Sequence, residues 1–586
     1  MNMVAVEQLV TQHLDLWTST IKRKSAAGRG SSNKIELYGI KKLRELILEL
    51  AVRGLLVPQD PSDEPASELL RRIAAEKAKL VKEGKIKKEK PLPPISEEQK
   101  PFALPAGWEW ARISNVSQLI TSGSRDWAQY LSDDGAIFVT MGNLSKGSYE
   151  LRLDNLRFVN PPQNGEGNRT RLEAHDLLIS ITGEVGNLGR IPEDFGEAYI
   201  NQHTCLVRFL PLCRGRYFPE VLRSPLASFQ FNEPQRGVKN SFRLSDVDAI
   251  TIPLPPLAEQ HRIVAKVDEL MALCDQLEQQ TESSRTAHQT LVEALLIGLT
   301  QANNNAQVTS AWQRIASHFN TLFTTEQSID RLKQTILQLA VMGKLVLQDP
   351  NEEPASELLK KIAAEKAKLV KERKIKKEKP QPPISEEEKP FALPKGWEWV
   401  RLGQVGICST GKTPSTSQPE FFEGNIPFIG PGQISPQGKL LLSEKSVSEE
   451  GLFESMEAVP NDILMVCIGG SIGKAAIVDK RLAFNQQINS IRPIFVSSKY
   501  LFAAVSTDIF YDSIIRKSTG SATPIINRSK WEELLVPLSP TLEQQRITKK
   551  VDELVTLCDH LKASLSLAKT TQLDLTDAVF KIGVAQ

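Results

Sequence analysis

Residues 49–113 read ELAVRGLLVPQDPSDEPASELLRRIAAEKAKLVKEGKIKKEKPLPPISEEQKPFALPAGWEWARI, and residues 338–402 read QLAVMGKLVLQDPNEEPASELLKKIAAEKAKLVKERKIKKEKPQPPISEEEKPFALPKGWEWVRL. The two stretches lie 289 residues apart and differ at 14 of 65 positions, mostly conservatively. About 140 residues of unlike sequence follow each copy. Similarity then returns as PLPPLAEQHRIVAKVDELMALCDQLE at 253–278 and PLSPTLEQQRITKKVDELVTLCDHLK at 537–562, an offset of 284. The unlike stretch is therefore five residues shorter in the second copy. Near-identical frames around unlike inserts describe one shared job done twice and one specific job done differently each time.

Within the first frame, apolar residues at 40, 43, 47 and 50 predict a helix ending at Gly54. Residues 59–65 are Pro/Asp punctuation, and Pro65 suits a helix start. Residues 66–83 read as a Lys/Ala/Glu helix, and 91–94 as a stiff extended linker. The linker delivers the chain to LPAGWEW (104–110), repeated as LPKGWEW (393–399), where strand-like sequence begins. Residues 71–90 carry nine Lys/Arg against three Glu, and residues 360–379 ten against three, on a chain of net charge +2. Such basic arms suit a polyanion partner and, as readily, the solvated face of a Lys/Glu-rich helix.

The inserts, 105–252 and 394–536, look mixed α/β with short strands. DLLISITG (176–183) lines up with DILMVCIG (462–469), an apolar strand running into a glycine turn. Gly186 or Gly473 follows, and later Asn201-Gln202 or Asn485-Gln486. These are two versions of one fold with different surfaces. After each insert, Ile263, Val267, Leu270, Cys274 and Leu277 alternate by four and three, as do Ile547, Val551, Leu554, Cys558 and Leu561. The second series continues through Leu565, Ala568, Gln572, Leu575 and Val579. A 3.5-residue repeat makes a coiled-coil seam, and the economical arrangement packs the two long helices against each other. The alternative is an amphipathic helix lying on its own domain's core.

The fold expected is mixed α+β: two α/β domains joined by long helices in an antiparallel coiled coil, with a pseudo-two-fold internal repeat. The domain map has an N-terminal helical segment (1–39), a first repeated region (40–104), the first insert (105–252) and a long helix (253–300). A connecting helical segment (301–328), the second repeated region (329–393), the second insert (394–536) and the second long helix (537–586) complete it.

Length sets a prior of about four domains, and 40% hydrophobic with 24% charged residues is ordinary globular composition. There is no run of 18 apolar residues and no signal-peptide pattern at the start, so no membrane association is expected. Six cysteines without a C-x-x-C pair suggest reduced thiols in a cytosol, with Cys274 and Cys558 in the core. GICSTGKT (406–413) satisfies the P-loop pattern, and Ala475–Asp479 resembles a Walker B strand, but the turn sequence PSTSQP follows where a helix is required. NPPQ (160–163) has Gln where an amino-methyltransferase needs an aromatic to stack a flipped base. The histidines and cysteines show no metal-ligand spacing. No catalytic residue and no metal site of the chain's own is expected.

The LPxGWxW lead-in, the D-[LI]-L…G…G…NQ pattern and the PLPPLAEQHRI exit into a heptad helix together resemble the specificity (S, HsdS) subunit of type I restriction-modification systems. The frames are similar to its EcoAI-like, type IB branch, and the resemblance covers essentially the whole chain. It implies that the inserts are target recognition domains, each reading one half of a bipartite, asymmetric site in double-stranded DNA. It implies that the helices set the spacer and dock two methyltransferase (M) subunits acting on adenine N6, with endonuclease/translocase (R) subunits joining. One copy of this chain per complex is expected, in a bacterial cytoplasm. S-adenosylmethionine, ATP and Mg are expected on the partner subunits, and no cofactor on this chain. Two other readings stay open: a P-loop nucleotide enzyme, and a protein–protein scaffold that binds no DNA.

Polar, Gly-flanked loops are where binding residues concentrate. They nominate Ser124, Arg125, Asn143, Gln202, Lys239, Asn240 and Arg243 in the first insert as DNA-facing. In the second they nominate Lys412, Thr413, Ser415, Gln433, Gln486, Thr523, Asn527 and Arg528. Asn201 and Asn485 read equally as structural, because shared residues cannot explain different specificities.

Overall fold

The computed structural model describes residues 10–23, 35–88, 92–161, 167–232, 241–302, 304–377, 381–520 and 523–585. The chain divides into two units, Met1–Ser284 with Lys569–Gln586, and Arg285–Ala568. Each contains one frame and one insert.

In the first unit, helix Tyr38–Val52 buries Ile40, Leu43, Ile47 and Leu50 and stops at Gly54, whose φ of 69° suits glycine. Helix Ala66–Lys82 buries only Ala66, Leu69 and Ile73. Its basic face is partly self-paired: Arg71 with Glu68, Arg72 with Glu64, and Lys77 donating to the Ser114 carbonyl at 2.6 Å. Lys79 and Lys85 remain well exposed. The second unit repeats this with Glu326–Val341, Ala355–Lys371 and Lys366 donating to Gly403. The N-terminal segment is not wholly helical as expected. A short helix, Leu14–Ser19, is followed by strand Lys22–Arg23, paired antiparallel with Ile35–Glu36.

Each insert begins and ends in a two-stranded antiparallel ribbon. Glu109–Arg112 pairs with Thr251–Leu254, and Glu398–Arg401 with Leu535–Leu538. The expected insert limits at 252 and 536 therefore cut through the closing strand, whose PLPP and PLSP sequences read as frame. A buried clamp anchors the ribbon. The Trp108 indole N–H donates to Glu259 at 2.9 Å, Gln59 donates to the other carboxylate oxygen at 3.2 Å, and Tyr217 donates to the Pro253 carbonyl. Trp397, Glu543, Gln348, Tyr500 and Pro537 repeat every contact. Burial pushes the Glu259 and Glu543 carboxyls above their ordinary range, against the pull of these donors and of Arg262 or Arg546.

Above the ribbon lie two four-stranded sheets sharing a core. In the first insert the order is Ser117–Ser122, Thr204–Phe209, Leu177–Ser180, Leu188–Arg190 in one sheet. The other runs Ala198–Ile200, Ala136–Val139, Arg157–Val159, Leu131–Ser132. Val139, Leu178, Ile200 and Leu206 fill the space between them. The second insert repeats the first sheet as Gly406–Thr410, Ile488–Pro493, Ile463–Val466, Ala475–Ile477, with Ile429, Leu464, Phe484 and Ile488 in its core. In both, one sheet holds a single parallel pair: Ala198–Ile200 on Ala136–Val139, and Leu482–Phe484 on Ile426–Ile429.

The long helices, Leu257–Gln301 and Thr541–Ala585, have 45 residues each, about 68 Å of helix. Each starts in one unit and ends in the other, so a long helix is not the property of one domain as the sequence map had it. In the first unit Ile263, Val267, Leu270 and Cys274 share a core with helix Tyr38–Val52 and with Val579 of the second long helix. In the second unit Ile547, Val551 and Cys558 share one with Glu326–Val341 and with Val292, Leu296 and Leu299 of the first. Head lies with tail in both, the antiparallel sense expected, and the repeated helix joins the bundle. Leu277, Leu554 and Leu561 are half-buried members of these cores.

One stretch of seam departs from expectation. Ala568 and Leu575 are exposed, and the inward stripe runs instead through Lys569, Gln572, Thr576, Val579 and Gly583. Two four-residue steps in succession, 561 to 565 to 569, replace the four-three alternation. A straight helix drifts about 20° per heptad, and here the inward face is fixed by Thr576 bonding Thr20 at 2.9 Å and Asp577 accepting from Tyr38 at 2.7 Å.

The clamp predicts that Glu259→Ala, which orphans the Trp108 N–H in a dry site, destabilises the first unit by about 1–3 kcal/mol. Glu543→Ala should do the same to the second. Denaturant unfolding followed by tryptophan fluorescence checks both, and an unchanged midpoint would remove the clamp's structural role.

Candidate nucleic-acid interface

Antiparallel pairing brings four chain turns to one end of the first sheet in each insert. Ser122 pairs with Cys205, Thr204 with Ser180, and Ile179 with Leu188, so residues 123–125, 181–187 and 201–203 all emerge at that end. The bridge between Thr182 and Ser241 adds the segment leading to Arg243. In the second insert Thr410 pairs with Asn489, Val466 with Ile488 and Met465 with Ala475. Residues 411–418, 467–474 and 485–487 emerge together, and the Ile468–Ile525 bridge adds residues 523–527. The parallel strands also end here, which brings the turns Met141–Asn143 and Pro431–Gln433 to the same rim.

The Asn-Gln turn is the pivot. It carries the chain from one sheet to the other, and its asparagine is structural. Asn201 Oδ1 accepts from the His203 backbone and from Thr204 Oγ1, and Asn485 Oδ1 accepts from the Gln487 backbone. A glycine packs on this turn in each insert. A Cβ on Gly123 would lie 2.0 Å from the Ile200 carbonyl oxygen, and one on Gly411 would lie 2.1 Å from that of Asn485. No other residue type fits so close a backbone approach.

At the opposite end of the sheet sits the acidic residue of the D-[LI]-L motif. Asp176 takes two hydrogen bonds from Arg208, at 2.8 and 2.7 Å, and Asp462 takes two from Arg492, both at 2.9 Å. Burial pushes Asp176 above the usual carboxylate range even so. These pairs brace the sheet. The motif aspartate is therefore architectural, and it lies away from the polar rim.

Of the nominated residues, Ser124, Arg125, Gln202 and Arg243 gather at the rim of the first insert, Arg125 and Arg243 exposed. Gln202 contacts the His203 ring at 2.9 Å, and that ring contacts Thr182 at 2.8 Å. His203 and Thr182 were not among the nominated residues; His203 follows the shared Asn-Gln pair directly, whereas Thr182, in the DLLISITG stretch, meets it only in the fold. Asn143 is a correction. It is buried, accepting from Thr140 and donating to the Arg152 carbonyl, because its polarity closes a turn. Lys239 and Asn240 lie outside the described residues.

In the second insert Lys412, Thr413, Ser415, Gln433, Gln486, Thr523, Asn527 and Arg528 all fall on the rim or its flanks. Thr413 donates to Gln486 at 2.6 Å, joining two nominated residues 73 positions apart. Lys412 pairs with Glu454 at 3.0 Å, Ser415 with Ser417, and Arg528 with Glu532. Asn527 caps helix Arg528–Glu532 by accepting from Lys530, and Gln433 accepts from the Gly430 backbone. The amide oxygens of those two side chains are thus spent on local structure, which polarity alone could not show.

Gly406–Thr410 is a strand, and no helix follows directly on Thr413, where residues 414–418 are turn. Lys412 ends in an ion pair instead of over a phosphate cradle, so the P-loop pattern is coincidental. In NPPQ, Asn160 donates to Ser132, and Pro162 and Gln163 lie outside the described residues. Among the described residues no group of three His, Cys, Asp or Glu could hold a metal, and no helix is long and apolar enough to cross a membrane.

The sequence matches the family described as the type I restriction modification DNA specificity domain twice, over residues 105–284 and 394–567. Each match takes in one insert and the head of the long helix after it. The chain is 43% identical to the EcoAI type I specificity subunit of Escherichia coli over 605 aligned residues, 98% of this chain and 99% of that one. It is 40% identical to the EcoEI specificity subunit of the same species over 610, with the same coverage. A chain from a solved type I R-M system, studied for its assembly and conformational transition, superposes with a TM-score of 0.50. At 18% identity over 83% of this chain and 99% of that one, this is a likeness of fold.

The close approach at the rim predicts that Gly411→Ala displaces the Asn485 turn. It should destabilise the second insert by about 1–3 kcal/mol, the usual cost of forcing a methyl into packed structure. Limited proteolysis would report it as new cleavage within 394–536, with the first insert unchanged.

Proposed function

Because the chain belongs to the specificity subunits of type I restriction enzymes, we propose that it is the DNA-reading, non-catalytic part of a restriction-modification complex, each insert reading one half of a bipartite site in duplex DNA. The observation that carries this is the rim. Two inserts of one fold gather polar loops at the same sheet end, on the same structural glycine and asparagine, with different side chains around them. Constant geometry presents the loops, and variable chemistry distinguishes the bases.

Base edges in the major groove are read by Asn, Gln, Arg, Lys, Ser and Thr, at about 1–3 kcal/mol per good bidentate pair. Ser124, Arg125, Gln202 and Arg243 supply that chemistry on one rim, and Lys412, Thr413 and Gln486 on the other. Phosphate contacts add salt-sensitive affinity without sequence information. The exposed lysines of the two basic arms suit that second role, or contact with a partner subunit. Two unlike readers on one chain recognise an asymmetric site, whereas a symmetric dimer would demand a palindrome.

In this reading one copy of the chain serves each complex. The long helices set the spacer and dock two adenine-N6 methyltransferase subunits, and endonuclease/translocase subunits join them in a bacterial cytoplasm. S-adenosylmethionine, ATP and Mg then belong to those partners. The nucleotide-enzyme reading has no support once the GKT strand runs into a turn, and the protein-only scaffold leaves the two polar rims without a purpose.

Replacing residues 109–254 with an insert from another member should change one half-site and leave the other and the spacer intact. Base-resolution methylation mapping of the host reads both halves at once, and a change in both would break the modular account. Lys79→Ala, which in this reading removes a phosphate contact of the first basic arm, should weaken binding evenly across sequences and lower the salt slope by about one. Titrations at several ionic strengths check that.

A further inference from the structure

Past Ile362 the helix Ala355–Lys371 leaves its core, and no residue of 363–377 is buried. The first basic arm does the same past Ile73, over 74–88. Both helices close with the same turn. The Gly84 and Lys85 backbone N–H groups donate to the Val81 and Leu80 carbonyls, and those of Arg373 and Lys374 donate to Val370 and Leu369. This closure needs a left-handed residue just past the helix end. The first arm has Gly84 there, at φ 68°, and the second has Arg373, at φ 58°.

A β-carbon at such a φ crowds the following carbonyl, so arginine holds this turn less well than glycine. The fold offers Arg373 no compensation. It is exposed, and no acidic side chain among the described residues pairs with its guanidinium. A β-carbon added to Gly84 would meet nothing within 4 Å, so a side chain at this place stands clear of the protein. The arginine also adds charge where charge is already dense. Residues 371–377 carry five Lys/Arg against Glu372. Lys374 pairs with that glutamate at 2.9 Å, and Lys371, Lys376 and Lys377 stand exposed beside Arg373.

Crowded like charges repel until an anion neutralises them, and backbone strain of this kind collects at ligand clamps. Composition selects the partner. Protein interfaces are depleted of lysine and anchored by aromatic residues and methionine. Residues 371–377 hold no aromatic and no methionine, and their one apolar side chain, Ile375, is half-buried. Lysine and arginine are the residues that meet DNA phosphates. We propose that residues 371–377 clamp the phosphate backbone of duplex DNA, and that Arg373 contacts a phosphate at the expense of the stability of its own turn. The inference rests on the DNA-reading role proposed above. It makes the second arm the stronger by one phosphate contact, since Gly84 leaves the tip at 82–88 a cation short.

The test uses the full chain and a fluorescent duplex of arbitrary sequence, with anisotropy titrations over a range of salt and a thermal unfolding profile for each variant. Arg373→Gly should unfold at the parent's temperature or above it, yet bind more weakly and flatten the slope of log K against log salt by about 0.9. Gly84→Arg should do the opposite in both respects, unfolding earlier and binding more tightly with a steeper slope. Arg373→Lys, with the same charge in the same turn, should bind like the parent. Parent-like affinity and slope in Arg373→Gly, where the parent itself binds duplex, would overturn the clamp and leave the DNA-reading role standing. A parent that binds no duplex would overturn both. If Arg373→Gly keeps its hold on duplex and loses it on a methyltransferase subunit, the tip serves a protein partner and the proposal is likewise overturned.

Discussion

The buried hydrogen bond from a tryptophan to a glutamate, Trp108 to Glu259 and Trp397 to Glu543, is the constraint on which each unit depends. It ties the strand that opens an insert to the helix that leaves it. A carboxylate taken out of water is tolerable only with donors at both oxygens, and here Trp and Gln supply them. Every member except one tyrosine comes from the repeated frames. That accounts for Gln59 and Trp108 in the first 65-residue stretch and their equivalents Gln348 and Trp397 in the second. A substitution in any of them leaves a buried charge or a buried N–H unmatched.

The inserts are bound by far less. They must deliver two strands to the ribbon, a tyrosine to the Pro253 or Pro537 carbonyl, an aspartate–arginine pair at one end of a sheet and a glycine–asparagine contact at the other. Those demands fix the fold and leave the rim free to vary. Structural necessity is concentrated in the ribbon and the Asp–Arg end, and recognition chemistry at the rim, so one can change without the other. Nucleic-acid readers built on rigid scaffolds gain from such separation, since positioning contacts and base contacts answer to different requirements.

Much of this was legible beforehand. Repetition exposed the frames, helix periodicity placed Tyr38–Val52 and Ala66–Lys82 nearly to the residue, and the D-[LI]-L strands appeared where the alignment of the copies put them. The failures share a cause. Asn143 was nominated for polarity beside a loop, yet it is buried and its side chain is spent on nearby backbone groups. Asparagine and glutamine serve turns and caps as readily as bases. The seam failed at Ala568 and Leu575 because a heptad count assumes that one partner persists along the helix. The tail of this helix meets Thr20 and Tyr38, and the inward face follows them.

The sequence by itself determined the doubled architecture, the amphipathic helices, the boundaries of the frames to within a strand, and the family. All of these follow from local periodicity or from comparing one stretch of chain with another. Only the tertiary structure decided which loops converge on the rim, that the Asn-Gln turn is a pivot and the motif aspartate a brace, and that the long helices are shared between units. Those facts depend on pairings between residues dozens to hundreds of positions apart. A side chain's role there is set by what antiparallel strands and packed helices place opposite it, and no window of sequence contains that partner.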